Sequence, residues 1–123
     1  MEMSKFVIRT VNTGVKFDLK AANGEVIAIS EVYDTRAACL RGVQSVRKIA
    51  LTDKVEDQTA SGKTFANPKY ELYQDRGGEY RFRLKARNGK IVAASEGYAS
   101  RQACLDGIEC VRRNAPDAHM EVV

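Results

Sequence analysis

The sequence predicts an α+β fold made of two tandem β3-α-β repeats, joined into one antiparallel-rich sheet with two helices packed on one face. Three observations carry this. The chain aligns with itself: displaced by 65 residues, Phe17–Ala50 falls on Phe82–Ala115, with 18 of 34 positions identical. Each copy contains stretches of alternating polar and apolar residues, the period of a half-buried strand. Each then changes to apolar residues three and four apart, the period of an amphipathic helix. The first repeat spans residues 5–57, a polar connector residues 58–68, and the second repeat residues 69–123.

The strands are clearest in the second copy. Lys69–Gln74 is a short strand, ended by the turn cluster Asp75-Arg76-Gly77-Gly78. A three-residue loop from Arg76 to Gly78 pairs Tyr70 with Leu84 and Leu72 with Phe82 on the inner face, and Glu71 with Arg83 outside. A one-residue slip would scramble the two faces. Glu79–Arg87 alternates without a break, with Tyr80, Phe82, Leu84 and Ala86 on one side and Arg81, Arg83, Lys85 and Arg87 on the other. Asn88-Gly89 then predicts a two-residue type I′ hairpin into the strand Lys90–Ser95. That register sets Arg81 opposite Glu96. The first copy repeats the pattern with Val15–Ala22, Asn23-Gly24 and Glu25–Ser30, setting Lys16 opposite Glu31. Upstream, Phe6 and Ile8 match Tyr70 and Leu72 with a one-residue slip, which places a length change in the first turn.

A helix follows in each copy. Thr35 and Ser100 are suited to cap the helix starts, where a hydroxyl accepts an otherwise unpaired backbone N–H. Cys39, Val43, Val46 and Ala50 recur at helical spacing, as do Cys104, Ile108, Val111 and Ala115. Arg47, Lys48, Arg112 and Arg113 lie near the C-termini, where positive charge suits the helix dipole. Gly42 and Gly107 interrupt the helices at the same place, each at a cost of about 1 kcal/mol relative to Ala; close packing against the helix is the expected compensation. Pro116 fits a helix stop, and Val55-Glu56 and Met120–Val123 form short last strands. One copy alone has a single apolar sheet face and one helix, too little core for independent stability. Two copies sharing a sheet about an approximate two-fold axis solve this.

Composition narrows the function classes. The chain has 123 residues, 44% hydrophobic and 29% charged, with a net charge of +4, so one globular domain needs no covalent staples. The charge is spread evenly: 9 basic and 8 acidic residues in 1–57, and 10 and 8 in 69–123, far from the footprint of a dedicated nucleic-acid binder. Cys39, Cys104 and Cys110 match neither a disulfide framework nor a zinc pattern. Met1–Lys5 holds no apolar leader, and no apolar run is long enough to span a bilayer. The expected compartment is the cytoplasm, with no membrane partner.

Two constellations could carry chemistry. The set Ser30, Glu31, Tyr33 and Arg36 recurs as Ser95, Glu96, Tyr98 and Arg101, and Arg could supply a forked donor to an anion. Cross-strand pairing, ring packing and a carboxylate beside each helix-start Arg give the same residues structural work. The outer stripe Arg81, Arg83, Lys85 and Arg87, with Lys90 across the turn and Tyr73 beside Arg81, could track a phosphate backbone and stack a base. Glu71, Glu79 and Glu96 dilute it, and the first copy has Lys16, Asp18, Lys20 and Ala22 there. Cys39 and Cys104 fall on the apolar helix face, and His119 is the single histidine. A Cys-His nucleophile or a metal site is therefore not expected.

The run Gly78-Glu79-Tyr80-Arg81-Phe82-Arg83-Leu84-Lys85-Ala86, followed by Asn88-Gly89, Ser95-Glu96-Gly97-Tyr98, Cys104-Leu105 and Gly107-Ile108-Glu109, resembles the YegP-like family of uncharacterised bacterial proteins. The resemblance covers nearly the whole chain. It implies a β3-α-β unit, present as tandem copies or as a dimer of single copies, with units that share a sheet and exchange their C-terminal strands. It implies no enzymatic activity and transfers no functional residues.

These readings converge on a non-catalytic interaction or structural module, without a cofactor, monomeric through its internal duplication and open to an unidentified protein partner. The alternative is weak nucleic-acid or polyanion binding through Tyr73, Arg81, Arg83, Lys85, Arg87 and Lys90.

Overall fold

A computed structural model describes residues 3–60 and 62–123; Met1 and Glu2 of the expected leaderless start and Ser61 of the connector lie outside the described residues. Eleven elements run along the chain: β1 (Lys5–Val11), β2 (Gly14–Lys20), β3 (Val26–Ile29), α1 (Arg36–Ile49), β4 (Val55–Asp57), β5 (Lys69–Gln74), β6 (Tyr80–Lys85), β7 (Ile91–Ala94), α2 (Arg101–Asn114), a 3-10 turn (Ala115–Asp117) and β8 (His119–Val122). They build one eight-stranded sheet in the order β4-β5-β6-β7-β3-β2-β1-β8. That order reads as a pseudo-two-fold about its centre, where β3 and β7 meet antiparallel at a single pair, Ile29 with Ala94.

The last strand of each repeat leaves its own half. β4 lies parallel to β5, pairing Val55 with Tyr70, and β8 lies parallel to β1, pairing Phe6 with Met120. The exchange is fastened by two equivalent arginines. Arg112 Nη2 donates to Thr52 O at 2.9 Å and its guanidinium lies 5.6 Å from the Tyr70 ring centre. Arg47 Nη2 donates to Ala118 O at 2.5 Å and lies over Phe6. Each thus holds the loop that leads into the other repeat's exchanged strand. Tyr70 Oη adds a bond of 2.7 Å to Ala50 O at the end of α1.

Both helices cover one face. Phe6, Ile8, Phe17, Leu19, Tyr70, Leu72, Phe82 and Leu84 from the strands join Cys39, Val43, Val46, Cys104, Ile108 and Val111 from the helices in one buried core. Phe6–Phe17 and Tyr70–Phe82 meet edge to face, a favoured geometry for aromatic pairs. The expected N-caps form: Thr35 Oγ1 and Ser100 Oγ accept from Ala38 N and Ala103 N at 3.1 Å. The helix glycines follow from the tyrosines. Tyr33 stacks on Phe17 and Tyr98 on Phe82, and each ring tip presses on the helix above. A Cβ at Gly42 would lie 2.7 Å from Tyr33 Cζ, and one at Gly107 2.7 Å from Tyr98 Cζ.

The first hairpin of repeat 2 has the three-residue loop and the register expected, pairing Tyr70 with Leu84 and Glu71 with Arg83. The first hairpin of repeat 1 is one residue shorter, turning between Val11 and Gly14, which accounts for the slip between the copies. The Asn-Gly turns correct the expectation. Among the described residues, positive φ occurs at Gly24 and Gly89 and at no non-glycine residue, so neither turn is type I′. Instead Gly89 N donates to Ala86 O and Ala86 N to Lys90 O, closing a three-residue loop with glycine in the left-handed position. Asn88 Oδ1 accepts from Lys90 N at 3.0 Å, so its side chain shapes the turn that its backbone was expected to shape. A bulge beyond Lys85 restores the expected register, pairing Leu84 with Ala93 and Arg83 with Ala94.

A second irregularity removes the expected charge pairs. Ser95 N donates to Phe82 O while Tyr98 N donates to Tyr80 O, so Glu96 and Gly97 together span the single residue Arg81. Glu96 is exposed, and Arg81 turns to Asp75 at 2.6 Å. The first copy repeats this between Ser30 and Tyr33: Glu31 is exposed and Lys16 faces Asp18 at 3.6 Å.

On the outer face a carboxylate network secures β4. Lys69 Nζ bridges Glu56 at 2.7 Å and Glu71 at 3.3 Å, and all three residues are buried. Hydrogen bonds from Gln58, Lys69 and the Phe65 amide hold the Glu56 carboxyl down to about 2 from an ordinary 4.5, against the effect of burial.

Two outcomes follow from this packing. Gly42→Ala should destabilise the wild type in urea denaturation, because overpacking of about 1–3 kcal/mol exceeds the roughly 1 kcal/mol that Ala gains over Gly in a helix. In a Tyr33→Ala background the same change should become stabilising; equal effects in both backgrounds would refute the contact. The Glu56 network acts with a defined sign. Its folded value lies below the unfolded one, so its stabilisation is complete above about pH 4.5 and is lost as pH falls toward 2. Glu56→Gln should lower stability at pH 7 and flatten the stability–pH curve over that acid window, measured by chemical denaturation at each pH.

Candidate functional site

The repeated polar set is dispersed into local structural contacts. Ser30 Oγ accepts from Phe17 N at 2.9 Å and donates to Glu31 O at 2.7 Å; Ser95 Oγ does the same with Phe82 N and Glu96 O, both at 2.9 Å. The hydroxyls thus fill the backbone gap left where each strand bulges. Tyr33 and Tyr98 spend their rings on the stack and on the helix glycine, and burial, foremost, raises both phenols above their ordinary value. The carboxylate expected beside the helix-start arginines is present once. Asp57, on the exchanged strand β4, meets Arg101 at 2.5 Å. At Arg36 the corresponding residue of β8 is Val122, and Arg36 makes no ion pair among the described residues.

The outer stripe is largely neutralised within the sheet. Glu71 is 3% exposed and receives Arg83 at 2.6 Å and Lys85 at 3.3 Å besides Lys69. Burial alone would raise its carboxyl, but the hydrogen bonds from Arg83, Lys69 and Lys85 keep it below the usual glutamate value. Tyr73 pairs with Arg81 in the ladder, yet the guanidinium over its ring is that of Arg83, 4.6 Å from the centre. Of the stripe, Arg87 and Lys90 are exposed and form no ion pair among the described residues.

Those two residues point to another feature, which the strand alternation does not reveal. Two cavities of about 410 and 470 Å³ adjoin between α1 and the β6–β7 turn, sharing Ser45, Ala86 and Asn88. Arg41 and Lys90 line one, and Lys48 and Arg87 the other. Ile91 and Val92 in the first cavity, and Ile49 and Pro68 in the second, give an apolar floor. The sequence marks Lys48 only as a cation near a helix end and does not single out Arg41, since their neighbours across the cleft come from the other repeat.

The thiols are unsuited to nucleophilic work. Cys39 and Cys104 are buried, and burial raises both, Cys104 to about 11. His119 is exposed on β8 with its Nε2 3.0 Å from Met3 Sδ. Among the described residues no three His, Cys, Asp or Glu side chains group as metal ligands, and no helix is long and apolar enough to cross a membrane.

With the geometry in place, the relatives fall into line. The family described as "Domain of unknown function (DUF1508)" matches the chain twice, over residues 11–57 and 75–121. A UPF0339 protein of Pseudomonas aeruginosa is 34% identical over 116 residues, 94% of this chain and 93% of that protein. A UPF0339 protein of Methanosarcina acetivorans is 54% identical over 55 residues, 45% of this chain and 95% of that protein, so it has the length of one repeat. The solution structure of the protein of unknown function yegP from E. coli superposes with a TM-score of 0.81 at 27% identity, covering 99% of this chain and 94% of that one. Two matched repeats, near-full-length relatives and a shared architecture establish that the chain belongs to the YegP-like DUF1508 family, a family of unknown function.

Proposed function

We propose that the protein is a non-catalytic binding module, monomeric through its duplication, whose paired repeats form a platform for surface contact. The observation that carries this reading is how the residues common to both copies are used. Ser30 and Ser95 satisfy bulged backbone, Tyr33 and Tyr98 press on Gly42 and Gly107, and Arg47 and Arg112 hold the exchanged loops. Much of what the copies share is spent on folding, and on this reading function falls to the surface on which they differ. Three free thiols, two of them buried, support a reducing compartment such as the cytoplasm. The polyanion reading draws its support from Arg87 and Lys90, because Arg81, Arg83 and Lys85 already hold carboxylates.

Thiol labelling gives the first test. At pH 7.5 Ellman's reagent should react in the native state with the half-buried Cys110 alone, and with Cys39 and Cys104 only after unfolding. Fast native labelling of Cys104 would remove a main support. The second test is direct: purified protein should show no turnover, against ester, phosphoester and peptide substrates, that disappears in Cys104→Ala, Glu96→Gln or Arg101→Ala. An activity lost in any of these while the fold survives would overturn the reading.

A further inference from the structure

We propose that the cleft between α1 and the β6–β7 turn binds the phosphate groups of a small molecule carrying a di- or triphosphate. The inference rests on the binding-module reading and gives it a site and a ligand class. Four exposed cations, Arg41, Lys48, Arg87 and Lys90, line adjoining cavities, and none forms an ion pair among the described residues. On the outer face of β5 and β6, by contrast, the cations are paired: Glu71 alone gathers Lys69, Arg83 and Lys85. Four converging charges left unmatched raise the free energy of the fold by mutual repulsion, which a bound anion would relieve.

The duplication supplies an internal control. In the other repeat the positions equivalent to Arg41, Lys48, Arg87 and Lys90 are Asp106, Arg113, Ala22 and Glu25. The repeat fold therefore accepts acidic residues at two of these four positions, and the positive charge is not a requirement of folding. Glu31 lines the basic cleft and Glu96 is its equivalent in the other repeat, so the shared acid does not explain the difference.

Size and lining choose among anions. Each cavity lies within the roughly 300–1,000 Å³ typical of small-molecule sites. The apolar floor gives a ligand body something to rest on, while Ser45 and Asn88 can hydrogen-bond it. Two pairs of cations suit two or more phosphates, with Arg giving forked contacts and Lys point charges. A nucleic-acid strand would instead want an open track, and on the outer sheet face the cations are already paired.

The test is titration of the full chain, followed by amide chemical shifts, with ADP, inorganic pyrophosphate, adenosine and a single-stranded oligonucleotide. ADP and pyrophosphate should each bind and compete, with shifts confined to α1 and residues 86–92, and adenosine should not bind. The double variant R41D/K90E, which installs the residues of the other repeat, should melt like the wild type and bind ADP about tenfold or more weakly. No shifts at millimolar ADP and pyrophosphate, shifts elsewhere, or undiminished binding by R41D/K90E would overturn the proposal, as would oligonucleotide binding without diphosphate binding. If ³¹P spectra showed ADP being consumed, and R41D/K90E abolished this, the non-catalytic reading would fall while the site stood.

Discussion

The constraint on which this structure depends is that neither repeat finishes its own sheet. A β3-α-β unit ends in a strand that finds no place beside its own three. β4 instead pairs with β5 and β8 with β1, each parallel and each at an outer edge of the other half. At the centre the halves share one residue pair, Ile29 with Ala94. The cohesion of the molecule therefore lies in the exchanged strands, the loops that carry them and the common core beneath both helices. Parallel edge strands of three and four residues are weak by themselves. This explains why each is reinforced from outside the ladder, by Arg112 or Arg47 at the incoming loop and by a Lys–Glu contact on the outer face, Lys69 with Glu56 at one end and Lys5 with Glu121 at the other.

Much of this was legible in the sequence because the relevant physics is local and periodic. Alternation over Glu79–Arg87 and the helical spacing of Cys104, Ile108, Val111 and Ala115 report which side chains face the core, and those side chains are buried or, at Tyr80 and Ala86, partly buried. The slip between Phe6 and Tyr70 reported a turn one residue shorter. The failures lie where two levels of structure trade against each other. Asn88-Gly89 has the composition of a type I′ turn, but the loop takes a third residue and the strand returns it as a bulge, so the register survives a wrong turn type. Glu96 lost its partner for the same kind of reason, since a bulge is invisible to a count of opposed positions. Arg112 was legible as a cation suited to a helix end, while its bond to Thr52 O spans two repeats and leaves no local trace. The one sequence sign of that role is that Arg47 and Arg112 are the same residue in both copies.

Comparing the copies separates demands of the fold from freedoms of the surface. Many positions held in common face the core or the exchanged strands, as with Gly42 and Gly107 under their tyrosines. Positions that diverge cluster on the outer face and along the exposed side of the helices. Repeat 2 uses Glu71 as the acid at its outer centre, while repeat 1 places Val7 there and moves the buried acid across to Asp18, held by Arg9 at 3.2 Å. The two solutions show that the outer face needs a compensated charge without fixing which strand supplies it. The cleft beside α1 holds four cations that form no ion pair among the described residues, which is why it, more than the stripe on β6, carries the functional reading.

The strand exchange also changes what the connector means. Residues 58–68 are the covalent link between the repeats, yet each half already grips the other by a strand inserted at the far edge. The halves are interlocked as two clasped hands are, and the peptide joining them limits stoichiometry more than it limits shape. It lets equivalent positions carry opposite charges, Arg41 against Asp106 and Lys90 against Glu25, a composition that two identical single-repeat chains could never assemble. Two copies in one chain are released from having to be the same.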